Sequence, residues 1–433
     1  MMKKVALHNL GCRVNEYETE EMARALASRG FKIVPFDAAA DVYIVNTCTV
    51  TNIADRKSRQ MLRRARKTNP DALVVAVGCY VDTHKDIGSE EGLIDAAFPN
   101  AEKARIAEHI ESLLAFEGGD GVCGPEEDYL AGLEHTRSCL KIEDGCNAFC
   151  SYCIIPYARG RVTSKPLGTI LEEAREMAAK GHREIVLTGI HLSAYGTDLK
   201  DAGDEPLFAV VRRVAEIPGI DRIRFGSLEP RIMTEKMLSS LRTIPQVCPQ
   251  FHLSLQSGSD SVLRRMNRHY TADDYRRIVQ RIRAFYPGAA VTTDIIAGFP
   301  GETEKEFAET EQFIREMKFA KTHIFRYSKR EGTAAARMDG QIPEREKEKR
   351  SALLIEAGKE GERTYLAGFC GRTAEVLFEE KVNTREGSMW QGHTMENVSV
   401  RVRSEEELSG RLLRCRITAA EDELLYGCVE GEG

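Results

Sequence analysis

Three closely spaced cysteines carry the clearest chemical signal in this chain of 433 residues. They lie in the loop Cys146-Asn-Ala-Phe-Cys150-Ser-Tyr-Cys153, which shortly follows a run typical of a β-strand. Close runs of cysteine hold iron–sulfur clusters, and three thiolates on a four-iron cluster leave one iron open to a small molecule. The spacing therefore predicts an iron–sulfur site with an open iron. Two alternatives stay open: a zinc site that a distant His or Cys completes, and unrelated buried thiols.

A second set of cysteines is spread along the amino-terminal part of the chain, each directly after a run typical of a parallel strand: Cys12, Cys48 and Cys79. Loops at the carboxyl ends of neighbouring parallel strands converge, so these thiolates can meet and bind a second cluster. Isolated buried thiols are the alternative, because free cysteine is among the most buried residue types. The remaining cysteines show no ligand spacing and are interpreted as structural: Cys123, Cys139, Cys248, Cys370, Cys415 and Cys428.

The bulk composition is that of a globular protein of about three domains. Hydrophobic residues make up 42% of the chain, charged residues 30%, and the net charge is −6, so the chain as a whole does not attract nucleic acid. No apolar stretch approaches the roughly 18–20 residues of a membrane span, and the first residues lack an apolar signal segment. A cytoplasmic location is expected, and there twelve cysteines favour metal ligation or buried thiols over disulfides.

The elements that must position the dispersed cysteines alternate between strand and helix, which predicts an α/β domain with a parallel sheet. Three segments have strand patterns: residues 5–10, 41–46 and 73–77. A helix is predicted to begin at an Asn15 N-cap and to run to Arg29. A further helix at 101–116 leads into the glycine-rich segment 117–125, a predicted domain boundary, and the next domain is expected to start near Thr136.

The middle of the chain repeats strand and helix patterns in six units. The predicted strands are residues 139–142, 184–189, 222–227, 250–256, 291–297 and 322–327. Such a series predicts a partial (β/α)6 relative of the eight-unit barrel, with the loop of Cys146 at the carboxyl-terminal mouth, where barrel enzymes place their chemistry. In the fourth strand Phe251, Leu253 and Leu255 alternate with polar residues, so one face is expected to line a polar cavity.

The last part of the chain has the pattern of a charged helix, residues 343–363, followed by a small β-barrel. Four short strands are predicted there: residues 374–378, 399–402, 412–417 and 424–429. Residues 371–433 contain 8 Lys and Arg against 13 Asp and Glu, which argues against tight phosphate binding by this whole domain. If this domain contacts RNA, a local basic patch would have to bind the phosphates: Arg401, Arg403, Arg411, Arg414 and Arg416.

The cysteine loop, with Tyr152 before its last cysteine, resembles the signature of the radical S-adenosylmethionine superfamily. Across essentially the whole chain, the order of domains is similar to that of the methylthiotransferase family, whose tail is a TRAM domain. The supporting motifs are Asn46-Thr-Cys-Thr-Val-Thr, Thr188-Gly-Ile-His, Gly226-Ser-Leu-Glu-Pro230, His252-Leu-Ser-Leu-Gln-Ser-Gly258, Asp294-Ile-Ile-Ala-Gly-Phe-Pro-Gly-Glu302 and Arg326-Tyr-Ser. We therefore expect three domains: residues 1–120, 136–365 and 366–433.

The resemblance implies two 4Fe–4S clusters. The cluster that binds and splits S-adenosylmethionine, giving a 5′-deoxyadenosyl radical, would be held by Cys146, Cys150 and Cys153. An auxiliary cluster would be held by Cys12, Cys48 and Cys79. By the resemblance, one S-adenosylmethionine methylates a sulfur on the auxiliary cluster and another supplies the radical that removes hydrogen from the substrate, which then collects the methylthio group.

Five residues are assigned to S-adenosylmethionine by the same resemblance: Tyr152, Thr188, Gly189, Glu229 and Gly298. Tyr152 and Gly298 would lie at the adenine, Thr188 and Gly189 near the methionine group, and Glu229 on the ribose side. All but Tyr152 have an alternative interpretation, because each can be an ordinary residue at a strand end.

The family has branches that act on N6-isopentenyladenosine in tRNA, on N6-threonylcarbamoyladenosine in tRNA, and on an aspartate of a ribosomal protein. The run Leu-Gly-Cys12-Arg-Val-Asn-Glu-Tyr-Glu-Thr-Glu and the run Asn-Thr-Cys48-Thr-Val-Thr-Asn-Ile-Ala-Asp-Arg-Lys-Ser-Arg resemble the threonylcarbamoyladenosine branch. The predicted function is therefore a tRNA methylthiotransferase that acts next to the anticodon, at tRNA position 37. The other two branches, and a non-catalytic zinc protein that binds RNA, are the alternatives.

The expected partner is tRNA, and a basic stripe at helical spacing directly after Cys48 could neutralise its phosphates: Arg56, Arg59, Arg63 and Arg66. A solvated helix face is the alternative interpretation of this stripe. The resemblance further implies a flavodoxin- or ferredoxin-type electron donor and a sulfur donor. The chain is expected to be a monomer that does not require a membrane.

Overall fold

The computed structural model describes residues 2–84, 87, 92–115, 136–201, 203–384 and 387–431. The chain divides into two compact units. The first unit combines Met1–Glu134 with two later segments, Asp144–Thr163 and Ser328–Ala336. The second unit contains His135–Glu143, Ser164–Tyr327 and Arg337–Gly433. The segment with the cysteine loop thus groups with the amino-terminal residues, although the sequence placed it in the domain 136–365. The predicted connector 117–125 and Cys123 lie outside the described residues, and the three domain bounds stay predictions.

The sheet of the first unit contains five parallel strands in the order β2-β1-β3-β4-β5. These strands are β1 (Lys4–Asn9), β2 (Lys32–Val34), β3 (Val42–Thr47), β4 (Leu73–Gly78) and β5 (Ala96–Phe98). The helices of this unit are Arg13–Ser28, Asn52–Thr68, Cys79–Thr83, Asn100–Arg105 (a 3-10 helix), Ile106–Leu114 and Ile155–Arg159. The predicted parallel α/β domain is confirmed. Strands β2 and β5 were missed because three residues are too short to show an alternation.

Helices cover both faces of this sheet. Met22 and Ile110 pack on one face with Ile44, whereas Leu62 packs on the other face with Val45. Successive residues of β3 therefore point into two different cores, which explains why the strand is a continuous apolar run rather than an alternating one. The strand ends that carry the cysteines therefore belong to a sheet that is packed on both faces.

The first helix begins at Arg13 with Cys12 in the N-cap position, so the predicted Asn15 cap was wrong. Asn15 is buried, and its Nδ2 donates to the carbonyl oxygen of Leu10 at 2.7 Å and to that of Thr47 at 3.0 Å. An asparagine near a helix start suggests a cap. Here the same residue instead ties the end of β1 to the end of β3.

The second unit contains parallel strands in two sheets, with the orders β10-β9-β6 and β11-β12-β13-β14. The strands of these two sheets are β6 (Arg137–Lys141), β9 (Glu184–Thr188), β10 (Arg222–Phe225), β11 (Ser227–Leu228), β12 (Gln250–Leu253), β13 (Ala290–Ala297) and β14 (Lys321–Arg326). The short strands β7 (Glu143–Asp144) and β8 (Thr163–Ser164) pair with each other in a separate two-stranded sheet. Their helices are Leu167–Ala179, Pro206–Ala215, Glu235–Arg242, Asp260–Arg265, Ala272–Phe285 and Glu304–Met317. Only Gly226 separates β10 from β11, so the predicted strand 222–227 contributes to both sheets. The repeating β/α pattern is confirmed.

The predicted alternation along β12 is also confirmed. Phe251 and Leu253 are completely buried, whereas the His252 side chain is half-buried on the other face. His252 bonds through Nδ1 to the Thr292 hydroxyl at 2.9 Å and through Nε2 to the Asp294 carboxylate at 3.1 Å. One face of this sheet therefore packs under helices, and the other carries polar side chains.

The carboxyl-terminal part begins with the helix Glu344–Ala367 and ends in a closed barrel with the order β15-β16-β17-β19-β18. Its strands are β15 (Thr373–Thr384), β16 (Gly387–Thr394), β17 (Ser399–Val402), β18 (Leu412–Glu421) and β19 (Leu424–Val429). The predicted small β-barrel is confirmed, with β16 as an additional strand. None of the helices in the described ranges is long and apolar enough to cross a membrane.

Candidate active site

The contiguous cysteine loop belongs to the first unit, and its backbone is held by tight turns. Gly145 has φ +78°, and a Cβ atom added to it would lie 2.0 Å from the carbonyl oxygen of Arg161, so only glycine fits. The N–H of Cys146 donates to the carbonyl oxygen of Gly160 at 3.0 Å, and the N–H of Cys153 donates to that of Cys150 at 3.0 Å. Backbone turns within a short stretch of chain thus present the three thiols.

The side chains of this loop are partly open to solvent. Cys146, Cys150 and Cys153 have intermediate exposure, and the Cys146 sulfur accepts the N–H of Ala148 at 3.4 Å. Tyr152, the residue assigned to the adenine, is half-buried. It follows Ser151, whose carbonyl oxygen accepts the N–H of Ala335 at 2.7 Å. A later segment of the chain therefore supports the loop directly before Tyr152.

The dispersed cysteines lie at three strand ends of the same unit and come together there. Cys12 follows β1, Cys48 follows β3, and Cys79 follows β4 and opens a short helix. A Cβ atom added to Gly11 would lie 2.8 Å from the Cys48 sulfur, so the glycine leaves room for that thiol. Burial raises the pKa of Cys48 to about 11; a hydrogen bond from the Val50 backbone opposes this rise, and negative charge on Cys79 and Cys12 adds to it. Cys48 therefore lies within electrostatic reach of both Cys12 and Cys79.

The donor chemistry of both cysteine sets fits an iron–sulfur cluster. Each set offers three cysteine side chains, and soft thiolate ligands select such clusters. Across the described ranges, no three His, Cys, Asp or Glu side chains converge as the ligands of a single metal ion do. The thiolates of a four-iron cluster bind different irons, so they do not need to converge on one point.

Two arginines with buried side chains contact the dispersed set or the loop beside it. The sequence gave no reason to select either of them. The first is Arg159, whose Nε lies 3.3 Å from the Cys79 sulfur and whose side chain is only 1% exposed. Burial opposes its charge, but hydrogen bonding to Glu18 and nearby negative groups hold the pKa of Arg159 well above its usual range. Its position shortly after Cys153 in the chain gave no hint of contact with Cys79.

The second is Arg330, which holds the loop that follows Cys48. Its guanidinium donates to the Asn52 side chain at 2.6 Å, to the Asp55 carboxylate at 2.6 Å and to the Thr49 hydroxyl at 2.5 Å. From the helix that follows this loop, the Ser58 hydroxyl bonds to both the N–H and the carbonyl oxygen of Cys48. Arg330 is far from Cys48 in the sequence, so only the folded chain reveals this contact.

The other residues assigned to S-adenosylmethionine belong to the second unit, near the carboxyl ends of its strands. Thr188 ends β9 and is buried, and its carbonyl oxygen accepts the N–H of Ile142 at 2.9 Å. A Cβ atom on Gly189 would lie 2.6 Å from the Glu143 carboxylate, so this position is also restricted to glycine. Glu229 follows β11, and its carboxylate accepts both the backbone N–H and the Nε of Arg231.

Gly298 follows β13 with φ +72°, and a Cβ atom on it would lie 2.5 Å from the Lys347 side chain. Its N–H donates to the Glu302 carboxylate at 3.0 Å. Burial raises the pKa of Glu302, although the ion pair with Arg350 at 2.8 Å opposes this rise. Thr188, Glu229 and Gly298 thus share the strand-end placement that the sequence predicted, while their contact with a cofactor stays a prediction.

The predicted basic stripe divides into two kinds of residue on the helix Asn52–Thr68. Arg56 and Arg63 are exposed. Arg59 donates to the Tyr80 hydroxyl at 2.8 Å, and Arg66 pairs with Asp95 at 2.7 Å. Arg59 and Arg66 therefore take part in contacts within the unit, and the solvent exposure of Arg56 and Arg63 makes these two residues accessible to phosphates.

The predicted patch on the carboxyl-terminal barrel is largely occupied by partners from the barrel itself. Arg401 donates to the Gln391 side chain at 2.8 Å. Arg411 pairs with Glu406 at 2.7 Å, and Arg414 pairs with Glu430 at 3.2 Å. These contacts reduce the positive charge that the patch can offer to RNA.

Comparison with known proteins finds two family matches. Residues 140–314 match the radical SAM superfamily, and residues 4–98 match the uncharacterized protein family UPF0004. The threonylcarbamoyladenosine tRNA methylthiotransferase MtaB of Bacillus subtilis is 37% identical over 97% of this chain and 94% of its own length. The protein of the same name from Thermotoga maritima is 37% identical over 87% of both chains. The tRNA-2-methylthio-N(6)-dimethylallyladenosine synthase of Acetivibrio thermocellus is 33% identical over 99% of this chain and 91% of its own.

Solved structures with a similar fold include two radical S-adenosylmethionine proteins. The methyltransferase TsrM from Kitasatospora setae matches with a TM-score of 0.55 at 18% identity, covering 75% of each chain. The cobalamin-dependent enzyme OxsB matches with a TM-score of 0.52 at 12% identity, covering 84% of this chain and 56% of that one. At these identities the similarity establishes the fold alone.

Proposed function

Because the chain belongs to the radical S-adenosylmethionine methylthiotransferase family, we propose that it converts N6-threonylcarbamoyladenosine in tRNA into the 2-methylthio derivative, next to the anticodon. Enzymes of this family use S-adenosylmethionine and two 4Fe–4S clusters. A non-catalytic zinc protein is excluded by this membership. Four relatives named for threonylcarbamoyladenosine are 35–37% identical to the chain, and those named for dimethylallyladenosine are 31–33% identical.

One observation carries the proposal: a single compact unit contains both sets of three cysteines. One set would bind the cluster of S-adenosylmethionine cleavage: Cys146, Cys150 and Cys153. The other set would bind the auxiliary cluster: Cys12, Cys48 and Cys79. When bound, the first cluster supplies the electron for cleavage of S-adenosylmethionine, and the second supplies a site for the sulfur that is transferred.

The chain's own residues prepare these sites in different ways. The turn at Gly145 holds the contiguous thiols in place before any cluster binds, which reduces the entropy lost on binding. Cys48 and Cys79 are shielded from water, which suits a site where reactive sulfur must be protected from side reactions. Cys12 is exposed, so this corner of the auxiliary site is reachable from solvent.

Substrate binding would use the exposed arginines that follow Cys48. Arg56 and Arg63 lie on the helix that starts shortly after this ligand, so contact with tRNA phosphates there would bring RNA close to the auxiliary site. An electron donor of the flavodoxin or ferredoxin type and a sulfur donor complete the proposal. We further propose that the protein acts as a cytoplasmic monomer.

Mass analysis of tRNA nucleosides tests the proposed substrate. The chain is expressed in cells that lack their own threonylcarbamoyladenosine methylthiotransferase, and a Cys146→Ala variant at the same expression level is the control. We expect 2-methylthio-N6-threonylcarbamoyladenosine to appear with the natural chain and to be missing with the control. Appearance of the 2-methylthio derivative of isopentenyladenosine instead, or of neither nucleoside, would overturn the proposed substrate.

A further inference from the structure

The sulfur of Cys79 receives hydrogen bonds from two side chains. Arg159 Nε lies 3.3 Å from this sulfur, and Asn100 Nδ2 lies 3.4 Å from it. Both distances are within the range for donation to sulfur. At Cys48, by contrast, the Ser58 hydroxyl bonds to the backbone N–H and carbonyl oxygen rather than to the sulfur. Cys79 is therefore the corner of the dispersed set whose sulfur is held by these two side-chain donors.

Arg159 is fixed in this position by polar groups that bond to its other nitrogens. Nη1 lies 2.8 Å from the Glu18 carboxylate and 3.0 Å from both oxygens of Asp144, and Nη2 donates to the Asn15 side chain at 2.6 Å. A planar guanidinium with all its donors engaged cannot rotate without breaking several bonds. The Nε–H is consequently held towards the Cys79 sulfur.

Asn100 is fixed as well. Its Nδ2 donates to the Asp82 carboxylate at 2.7 Å, and its backbone N–H donates to the same carboxylate at 3.1 Å. Lys103 adds a further buried cation close by, paired with Glu18 at 2.6 Å. The carboxylates of Glu18, Asp82 and Asp144 thus offset the local positive charge, so the directed hydrogen bonds to sulfur are what distinguishes this corner.

We propose that Arg159 and Asn100 are positioning residues of the auxiliary site, which make the cluster at Cys12, Cys48 and Cys79 easier to reduce by donating hydrogen bonds to the Cys79 sulfur. This inference rests on the proposed role of those cysteines as ligands. Hydrogen bonds to ligand sulfurs stabilise the more negative, reduced state of an iron–sulfur cluster and raise its reduction potential. Arg159 also lies on the segment Asp144–Thr163, so one side chain links the contiguous loop to Cys79.

A redox titration followed by electron paramagnetic resonance tests the proposal. The parent is the full chain with Cys146, Cys150 and Cys153 all replaced by Ala, so that only the auxiliary cluster is present. Arg159→Met in this parent removes one donor and its charge, and we expect the midpoint potential to become more negative. Asn100→Leu removes the second donor while leaving the ion pairs of Arg159 in place, and we expect a smaller shift in the same direction.

Arg161→Met is the matched control, because Arg161 lies on the same segment but stacks on the Phe149 ring at 4.7 Å rather than bonding to Cys79. We expect its midpoint potential to equal that of the parent. If neither Arg159→Met nor Asn100→Leu shifts the potential of an iron-loaded protein, or if Arg161→Met shifts it equally, the proposal is wrong.

Two further outcomes separate this proposal from the one on which it rests. If Arg159→Met does not retain iron, the Asn100→Leu potential decides, and an unchanged value there contradicts the proposal. If the parent itself binds no iron, the assignment of Cys12, Cys48 and Cys79 as ligands fails instead.

Discussion

The two cysteine sets of the first unit offer the same type of side chain, but the fold arranges them in different ways. The contiguous set, Cys146 to Cys153, is arranged by turns within its own loop and stays partly exposed. The dispersed set is arranged by a whole parallel sheet, and two of its members, Cys48 and Cys79, are buried. A local set depends on a few backbone torsions, whereas a dispersed set depends on the packing of the entire unit.

The dispersed set also depends on buried ion pairs between residues that are far apart in the sequence. Arg159 pairs with Glu18, and Arg330 pairs with Asp55. Removing one partner of a buried pair leaves an uncompensated charge, which is strongly destabilising. We therefore expect substitutions outside the ligands to disturb the dispersed set more readily than the contiguous one.

The largest effect is expected for a ligand of the contiguous set. Cys146→Ala should abolish reductive cleavage of S-adenosylmethionine and also product formation, because no radical can then be made. Release of 5′-deoxyadenosine and tRNA nucleoside analysis measure the two losses. Persistent cleavage with Cys146→Ala would exclude this residue as a ligand of the radical cluster.

A ligand of the dispersed set should separate the two activities. With Cys48→Ala we expect some cleavage of S-adenosylmethionine to remain while methylthiolation of tRNA is lost, since the contiguous set is intact. The same two assays apply. Equal loss of both activities would contradict the proposed division of labour between the sets.

A matched pair of glycine substitutions tests how each set is built. Gly145→Ala should impair only the contiguous site, because the new Cβ would meet the Arg161 carbonyl oxygen at 2.0 Å. Gly11→Ala should impair only the dispersed site, because its Cβ would meet the Cys48 sulfur at 2.8 Å. Iron analysis should show about four irons per chain for each variant instead of about eight. Loss of all iron in either variant would show that the two sites do not form independently.

Arg330→Met tests the dependence of the dispersed set on distant ion pairs. Leaving Asp55 buried without its partner should destabilise the first unit by about 3–5 kcal/mol. Urea denaturation of the metal-free chain measures this change, with the exposed Arg345→Met as the control. A stability equal to that of the control would show that the Arg330 ion pair does not support the Cys48 loop.

The smallest effect concerns the basic helix Asn52–Thr68, which follows Cys48 of the dispersed set in the chain. Arg56→Ala should weaken tRNA binding modestly and reduce the salt dependence of binding by about one phosphate contact. Arg66→Ala should leave that salt dependence unchanged, because Arg66 is committed to Asp95. Affinity measured over a range of salt concentrations distinguishes the two variants, and identical salt slopes would favour a merely solvated helix face.

The sequence predicted the fold of each unit well, because hydrophobic periodicity marks buried strands and helices directly. The three longer strands of the first unit and the closed carboxyl-terminal barrel follow from such patterns. The prediction failed where a side chain had a tertiary role, as with Asn15, which bridges two strand ends instead of capping a helix. Very short strands such as β2 were also missed, because three residues are too few to show the alternation of buried and exposed side chains that marks a strand.

The sequence predicted only those residues of the candidate site whose type and spacing indicate a chemical role. The contiguous cysteines are recognisable from spacing alone, and the dispersed ones from their positions after strands. Arg159, Asn100 and Arg330 were missed because arginine and asparagine are common on surfaces, and the contacts of these three residues form only when segments distant in the sequence pack together. The grouping of residues 144–163 with the amino-terminal sheet was missed for the same reason.

The central claim is that two independent clusters divide the work, and a side-by-side comparison of two triple variants tests it most directly. One variant replaces Cys146, Cys150 and Cys153 with Ala, and the other replaces Cys12, Cys48 and Cys79. We predict about four irons per chain in each, against about eight in the natural chain, and cleavage of S-adenosylmethionine only in the second variant. Cleavage by the first variant, or a complete loss of iron from either one, would contradict the account.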